Sequence, residues 1–274
     1  MTGAPPRDSA RPERRASDRL IVALDLPTLG EAARLVDALA PYVGWFKIGS
    51  ELFTAAGPEA VTLVLARDRN VFLDLKFHDI PRTVAAAVAA AARLGVMMMN
   101  MHVAAGDEAM RDAVHALAAA FPPDNPHSSA NNASLRTPLS PQSPRARPRL
   151  LGVTQLTSIA DGQDTFAQVV EAAARAKWIG LDGVIASPRE SAAIKTACGM
   201  DFLVVTPGIR PAGSADGDQR RRATPAEAVR AGADYVVVGR PVVHAEDPLS
   251  VVTRIVEEID RVLHQETRAP ARNS

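Results

Sequence analysis

The sequence predicts an α/β chain folded as a single-domain (β/α)₈ TIM barrel, and three observations lead there. Eight short, β-rich apolar runs alternate with longer Ala-rich segments of helical character. The runs are nearly continuous in apolar residues, as strands of a parallel sheet covered by helices are. A length of 274 residues at 47% hydrophobic composition suits one such barrel.

The elements fall in order. Leu20–Leu24 is the first strand, followed by a helix over Thr28–Ala40 that opens on an N-cap threonine. Trp45–Ile48 precedes a helix at Pro58–Ala66, and Val71–Leu75 precedes one at Pro81–Leu94, each opening on proline. Val96–Met101 leads into Asp107–Ala119, and Leu150–Thr154 into Thr165–Ile179. Gly183–Ile185, Phe202–Val205 and Tyr235–Val238 are followed by helices at Pro188–Thr196, Pro225–Ala231 and Pro248–His264. An open doubly wound sheet is disfavoured because no G-x-G-x-x-G follows the first strand, which ends ALDLPT.

Residues 1–18 are Arg- and Pro-rich, carry acids at Asp8, Glu13 and Asp18, and lack an apolar h-region; they read as a disordered tail rather than a targeting segment. Residues 266–274 read as a second tail. Residues 121–149, rich in Pro, Ser and Asn, are far longer than an ordinary helix-to-strand connection and read as a disordered insertion on the barrel's N-terminal face. No apolar run reaches membrane-spanning length, so a soluble, cytoplasmic protein is expected. Lys plus Arg and Asp plus Glu both number 31, which argues against a nucleic-acid or anionic-membrane partner. The lone Cys198 excludes an internal disulfide and reads as a small buried residue.

Barrel active sites lie at the C-terminal ends of the strands, which selects Asp25, Lys47, Asp74, Lys76, Asp79, His102, Thr157, Arg210 and Arg240. In VFLDLKFHDI, Asp74 and Lys76 stand two apart and should project together, with Asp79 just beyond and Lys47 approaching from the neighbouring strand. A lysine held between carboxylates keeps its proton and acts as a general acid rather than a Schiff-base nucleophile. Charges are seldom gathered this way for stability alone, so the array points to chemistry. Gly208 with Arg210 and Gly239 with Arg240 follow the seventh and eighth strands, the usual place for phosphate in a barrel, and imply a phosphorylated substrate. His102 reads as a hydrogen-bonded wall residue, and Met97, Met98, Met99 and Met101 as core filling. His78, His115 and His244 lack metal-ligand spacing, so no metal is expected.

DLKFHDIPRTV resembles the D-x-K-x-x-D-I-P-x-T signature of the orotidine 5′-phosphate decarboxylase family. ALD (23–25), FKIG (46–49), LTS (156–158), TPGIRP (206–211), GDQ (217–219) and VVGRP (237–241) fall in the family's order. The resemblance runs from about Arg19 to Leu263 and implies a cofactor-free decarboxylase that makes UMP. It further implies that Asp25 and Lys47 hold the ribose hydroxyls and that Asp74, Lys76 and Asp79 are catalytic. Asp79, Ile80 and Thr83 would reach the neighbouring subunit's site, making an obligate homodimer with composite sites. Thr157 would lie near the pyrimidine and Pro207 would line the pocket, while Arg210, Gln219, Gly239 and Arg240 grip the phosphate. Ala212–Ala223 would be a closing loop. The insertion, and Arg82 where the family commonly has Asn, depart from the pattern without touching a matched functional position. The closest rival is a sugar-phosphate decarboxylase or synthase on a similar barrel, whose relatives use Mg²⁺ and tend to carry an acid where this chain has Lys47; the second is a catalytically silent nucleotide-binding barrel.

Overall fold

The computed structural model describes residues 15–122, 146–155, 163–211 and 223–268. Along them run α1 (Ala16–Arg19), β1 (Leu20–Ala23), α2 (Leu29–Leu39), β2 (Trp45–Gly49), α3 (Ser50–Ala56), α4 (Glu59–Leu65), β3 (Asn70–Phe77), α5 (Pro81–Arg93), β4 (Met98–His102) and α6 (Asp107–Ala120). They continue with β5 (Arg149–Val153), α7 (Gln163–Ile179), β6 (Gly183–Ile185), α8 (Pro188–Cys198), β7 (Leu203–Thr206), α9 (Pro225–Arg230), β8 (Tyr235–Val238), α10 (Arg240–Val243) and α11 (Pro248–Arg268). The strands form a closed barrel in chain order, with β8 pairing parallel to β1. The expected barrel is therefore the observed one.

Alternation along each strand divides the apolar residues into two cores. Val22, Phe46, Leu73, Met99, Val204 and Val236 face outward and pack against the helices. Ile21, Trp45, Phe72, Met98, Leu151, Val205 and Val237 face inward and fill the barrel. Trp45 and Tyr235 meet edge-on inside it, with ring centroids 5.4 Å apart. Gly183 admits no side chain, since a Cβ there would overlap Leu203.

Several helix starts follow from local chemistry. In α8, Ser187 caps the backbone while Glu190 reaches back to the Ser187 N–H, with Pro188 in the first turn; Thr224, Pro225 and Glu227 repeat the arrangement in α9. At the N-terminal end of the barrel two aspartates pin strand starts. Asp182 accepts from the Leu150 N–H at 2.8 Å and from Arg147 at 2.8 Å. Asp234 accepts from the Val204 N–H at 2.8 Å and pairs with the buried Lys195.

The differences from expectation are short or terminal. The helices α3 and α10 were not anticipated, because one or two turns show no usable period. Residues 16–18, expected in the tail, belong to α1: Ala16 is buried, and the Ser17 carbonyl accepts from the Gly44 N–H at 3.2 Å. The last helix likewise continues to Arg268. The chain leaves α6 at Ala120 and re-enters at β5, so both ends of the insertion lie on the N-terminal face; residues 123–145 are outside the described residues. Among the described residues no helix is long and apolar enough to cross a membrane.

Candidate active site

The inward alternation that fills the barrel continues upward into polar residues. Asp25 stands two beyond Ala23, Lys47 two beyond Trp45, Asp74 two beyond Phe72 and Asn100 two beyond Met98. Adjacent strands therefore raise one polar side chain each to the same level. Strand closure then supplies contacts that sequence distance hides.

Lys47 Nζ lies 2.8 Å from Asp25 Oδ1 and 3.2 Å from Asp74 Oδ2. Lys76 Nζ lies 2.6 Å from Asp74 Oδ1, and Asn100 Nδ2 donates to that same oxygen at 2.7 Å. The observed chain of charges is thus Asp25–Lys47–Asp74–Lys76. Burial works against the charge of Lys47, yet the Asp74 and Asp25 carboxylates outweigh it and hold the ammonium above its ordinary pKa. Burial also opposes ionisation of Asp74, but Lys47, Lys76 and two hydrogen bonds draw its pKa below the usual value. Gly49 gives the Asp25–Lys47 pair its room, since a Cβ there would stand 3.0 Å from each of Asp25 Oδ1 and Lys47 Nζ.

Lys76 does not reach this point by simple alternation. Between Leu73 and Phe77, four steps along β3 match two along β4, from Met99 to Met101, so the ladder bulges. Lys76 sits in the bulge with φ +52°, a left-handed conformation uncommon for a side-chain-bearing residue. Its N–H donates to Asn100 Oδ1 at 2.8 Å. Strand parity predicted the Asp74–Lys76 meeting; the backbone achieves it through a bulge.

These charges line a pocket of about 340 Å³ with Phe72, Val153, Ile185, Val205 and Val237 below them. Pro207, Gly208, Arg210, Gly239 and Arg240 form its other side. Barrel closure sets β8 beside β1, so Gly239 approaches Asp25: a Cβ on it would lie 3.5 Å from Asp25 Oδ2. Gly208 turns with φ +79°, and the Arg210 N–H donates to the Ala223 carbonyl at 3.0 Å, joining the two ends of the expected closing loop.

The chain belongs to the orotidine 5′-phosphate decarboxylase / HUMPS family. That family's model matches residues 18–255. Similar curated proteins include the orotidine 5′-phosphate decarboxylase of Moorella thermoacetica, 48% identical over 256 residues, with 90% of this chain and 94% of the relative covered. The enzyme of the same name from Trichlorobacter lovleyi is 46% identical, covering 89% of this chain and 96% of its own. Among solved structures, an orotidine 5′-phosphate decarboxylase from Lactobacillus acidophilus superposes with a TM-score of 0.70 at 33% identity, covering 89% of this chain and 99% of that one.

Within this family member the sequence-selected residues divide three ways. Asp25, Lys47, Asp74, Lys76, Pro207, Arg210, Gly239 and Arg240 share the pocket. Asp79, Ile80 and Thr83 do not; they are exposed on the rim where α5 begins, and Asp79 Oδ1 accepts from the Ile80 N–H at 2.7 Å. The carboxylate beside Lys47 at the far end of the array is Asp25. Thr157, Gln219 and residues 212–222 of the closing loop lie outside the described residues.

His102 stands at the end of β4. Among the described residues its ring meets no hydrogen-bond partner and instead tilts against His78, with centroids 5.1 Å apart. Burial first, then the charges of His78 and Lys76, hold its pKa below the ordinary value against the pull of Asp74. Two residues at the site escaped the sequence reading, one buried beneath the charged array and one lining the pocket. Asn100 was concealed in a methionine run, although an amide at an inward position of MMMNMH is itself a signal. Gln155, two beyond Val153, lines the pocket with a buried Oε1 that has no partner among the described residues.

Proposed function

We propose that this chain decarboxylates orotidine 5′-phosphate to UMP and CO₂, the last step of pyrimidine nucleotide synthesis, without a cofactor. The observation that carries this reading is the Asp25–Lys47–Asp74–Lys76 array facing Arg210 and Arg240 across a single pocket. Loss of CO₂ leaves a very basic vinylic carbanion at C6, and the pyrimidine ring offers no easy electron sink. A fixed ammonium answers that problem. Lys76 stabilises the charge as it appears and delivers the proton that completes UMP. Asp74 orients Lys76, and its charge near the departing carboxylate is a secondary contribution. Arg210, Arg240, Gly239 and Gln219 hold the phosphate, whose binding energy supports closure and desolvation at the reacting carbon. Pro207 lines the pocket, Asp25 and Lys47 hold the ribose hydroxyls, and the family resemblance assigns Thr157 to the pyrimidine.

The sugar-phosphate reading of the family is disfavoured by Lys47. Its ammonium stands 2.8 Å from Asp25 and 3.2 Å from Asp74, where a divalent ion would need those carboxylates free. The assay that tests the proposal follows the absorbance of orotidine 5′-phosphate with and without excess chelator. Decarboxylation unchanged by chelator is expected; activity confined to a sugar phosphate with Mg²⁺ would overturn the reading.

The same proposal includes a cytoplasmic homodimer in which Asp79, Ile80 and Thr83 complete the other subunit's site. Support comes from Ile80, a large apolar side chain 66% exposed beside the exposed Asp79. Mixing inactive Lys76→Ala and Asp79→Ala proteins should then restore activity through sites built from one intact set. No recovery after proven subunit exchange would refute shared sites.

A further inference from the structure

We propose that Asn100 is a positioning residue for the decarboxylation, acting through Lys76 and Asp74. The inference deepens the functional reading above and rests on it.

Asn100 is fully buried at an inward position of β4, surrounded by the barrel's apolar lining. A buried carboxamide must satisfy both its ends, and this one does so on two residues of the charged array. Its Oδ1 accepts from the Lys76 N–H at 2.8 Å, and its Nδ2 donates to Asp74 Oδ1 at 2.7 Å. Neither bond belongs to the strand ladder. The first falls where β3 leaves register with β4 and Lys76 adopts φ +52°. A left-handed backbone at a lysine is strained and persists only where its surroundings demand it. The Asn100 carbonyl is the acceptor that fixes that N–H, so it fixes the direction in which the Lys76 side chain leaves the backbone.

The second bond fixes the acceptor that the ammonium meets. Asp74 Oδ1 receives Asn100 Nδ2 and Lys76 Nζ, while Oδ2 faces Lys47. Holding one oxygen by a neutral amide sets the plane of the carboxylate, and that plane sets where Lys76 Nζ sits. Asn100 therefore determines both the root and the tip of the Lys76 side chain without touching substrate. Hydrolysis, redox chemistry and proton transfer are all outside its competence; orientation is what a doubly bonded buried amide can supply.

The test compares Asn100→Ala, and Asn100→Ser as a milder variant, with wild type and with Lys76→Ala. Three quantities are read: kcat per folded molecule, the Kd of UMP, and Tm. Misplacement of a catalytic group typically lowers rate by up to about 100-fold. Asn100→Ala should lower kcat about 10- to 100-fold with the UMP Kd nearly unchanged, and Asn100→Ser should lie between it and wild type. Unchanged kcat would overturn the inference, as would parallel loss of kcat, UMP affinity and Tm, which is the signature of a merely structural amide. Failure of both variants to fold would likewise assign Asn100 to stability and overturn it. The functional reading fails separately: if Lys76→Ala retains near-wild-type kcat, Lys76 is not the acid, whatever Asn100 does. Collapse of Lys76→Ala beside fully active Asn100 variants sinks only the role of Asn100.

Discussion

Two lysines of this barrel sit against an aspartate at opposite ends of the strands, and the difference between them separates structure from chemistry. At the N-terminal end, Lys195 Nζ spends its donors on the protein: it meets Asp234 and the carbonyls of Met200 at 3.0 Å and Phe202 at 2.8 Å. Its side chain is only 6% exposed. At the C-terminal end, Lys76 Nζ has one partner among the described residues, Asp74, and its side chain is 38% exposed toward the pocket. An ammonium has three protons to place. Lys195 has placed them all, whereas Lys76 keeps donors for something that enters. Unspent hydrogen-bonding capacity, more than burial or charge alone, marks the functional member of the pair.

Substitution should separate the two most sharply. Lys76→Ala is expected to remove several orders of magnitude from kcat while leaving the protein folded; a loss below about tenfold would contradict the general-acid role. Lys195→Ala should do the reverse. Removing one partner of a buried ion pair destabilises by about 3–5 kcal/mol, so denaturant unfolding should shift strongly while kcat per folded molecule stays near wild type. Equal effects of the two changes on kcat would contradict this division of roles.

A smaller effect tests the opposite wall of the pocket. Arg240→Ala should depress kcat/KM for the phosphorylated substrate by about 100-fold and barely affect a truncated nucleoside, since a charge-assisted pair is worth roughly 1.5–3 kcal/mol. Equal losses on both substrates would rule out phosphate gripping.

The smallest effect is a pH dependence of stability. The folded-state pKa of Asp74 lies below its ordinary value, so its contribution is fully present above that ordinary value and is lost as pH falls through the depressed one. That of Lys47 is raised, so its contribution is present below the ordinary lysine value and is lost as pH rises through the higher folded one. The difference in unfolding free energy between wild type and Asp74→Asn should therefore hold level near neutrality and shrink on acidification. A difference that grows toward acid pH would reverse the assigned sign.

The same contrast explains which features of the site the sequence displays. DLKFHDI was legible because charges in an apolar strand end are rare and because inward parity can be counted along a strand. The opposite wall was legible because a glycine followed within two positions by an arginine recurs after the seventh and eighth strands. Lys195 was not: in SAAIKTAC it looks like any lysine on an Ala-rich helix, and its partner lies 39 residues away. The Asp25–Lys47 pairing, 22 residues apart, depends on β1 lying beside β2, which only a commitment to the barrel supplies. The left-handed turn at Lys76 had no sequence signal, because neither glycine nor asparagine occupies the position. Its cause stands on another strand, at Asn100.

In this reading an ammonium at position 76, with donors to spare, drives the reaction. Converting Lys76→Cys to an aminoethyl thioether restores an amine of nearly native length, and buried Cys198 should stay unmodified in the folded protein. Lys76→Cys is expected to be nearly inert toward orotidine 5′-phosphate, and aminoethylation to recover at least about 100-fold in kcat. Complete modification at position 76, verified by mass, with no recovery of CO₂ release would contradict it.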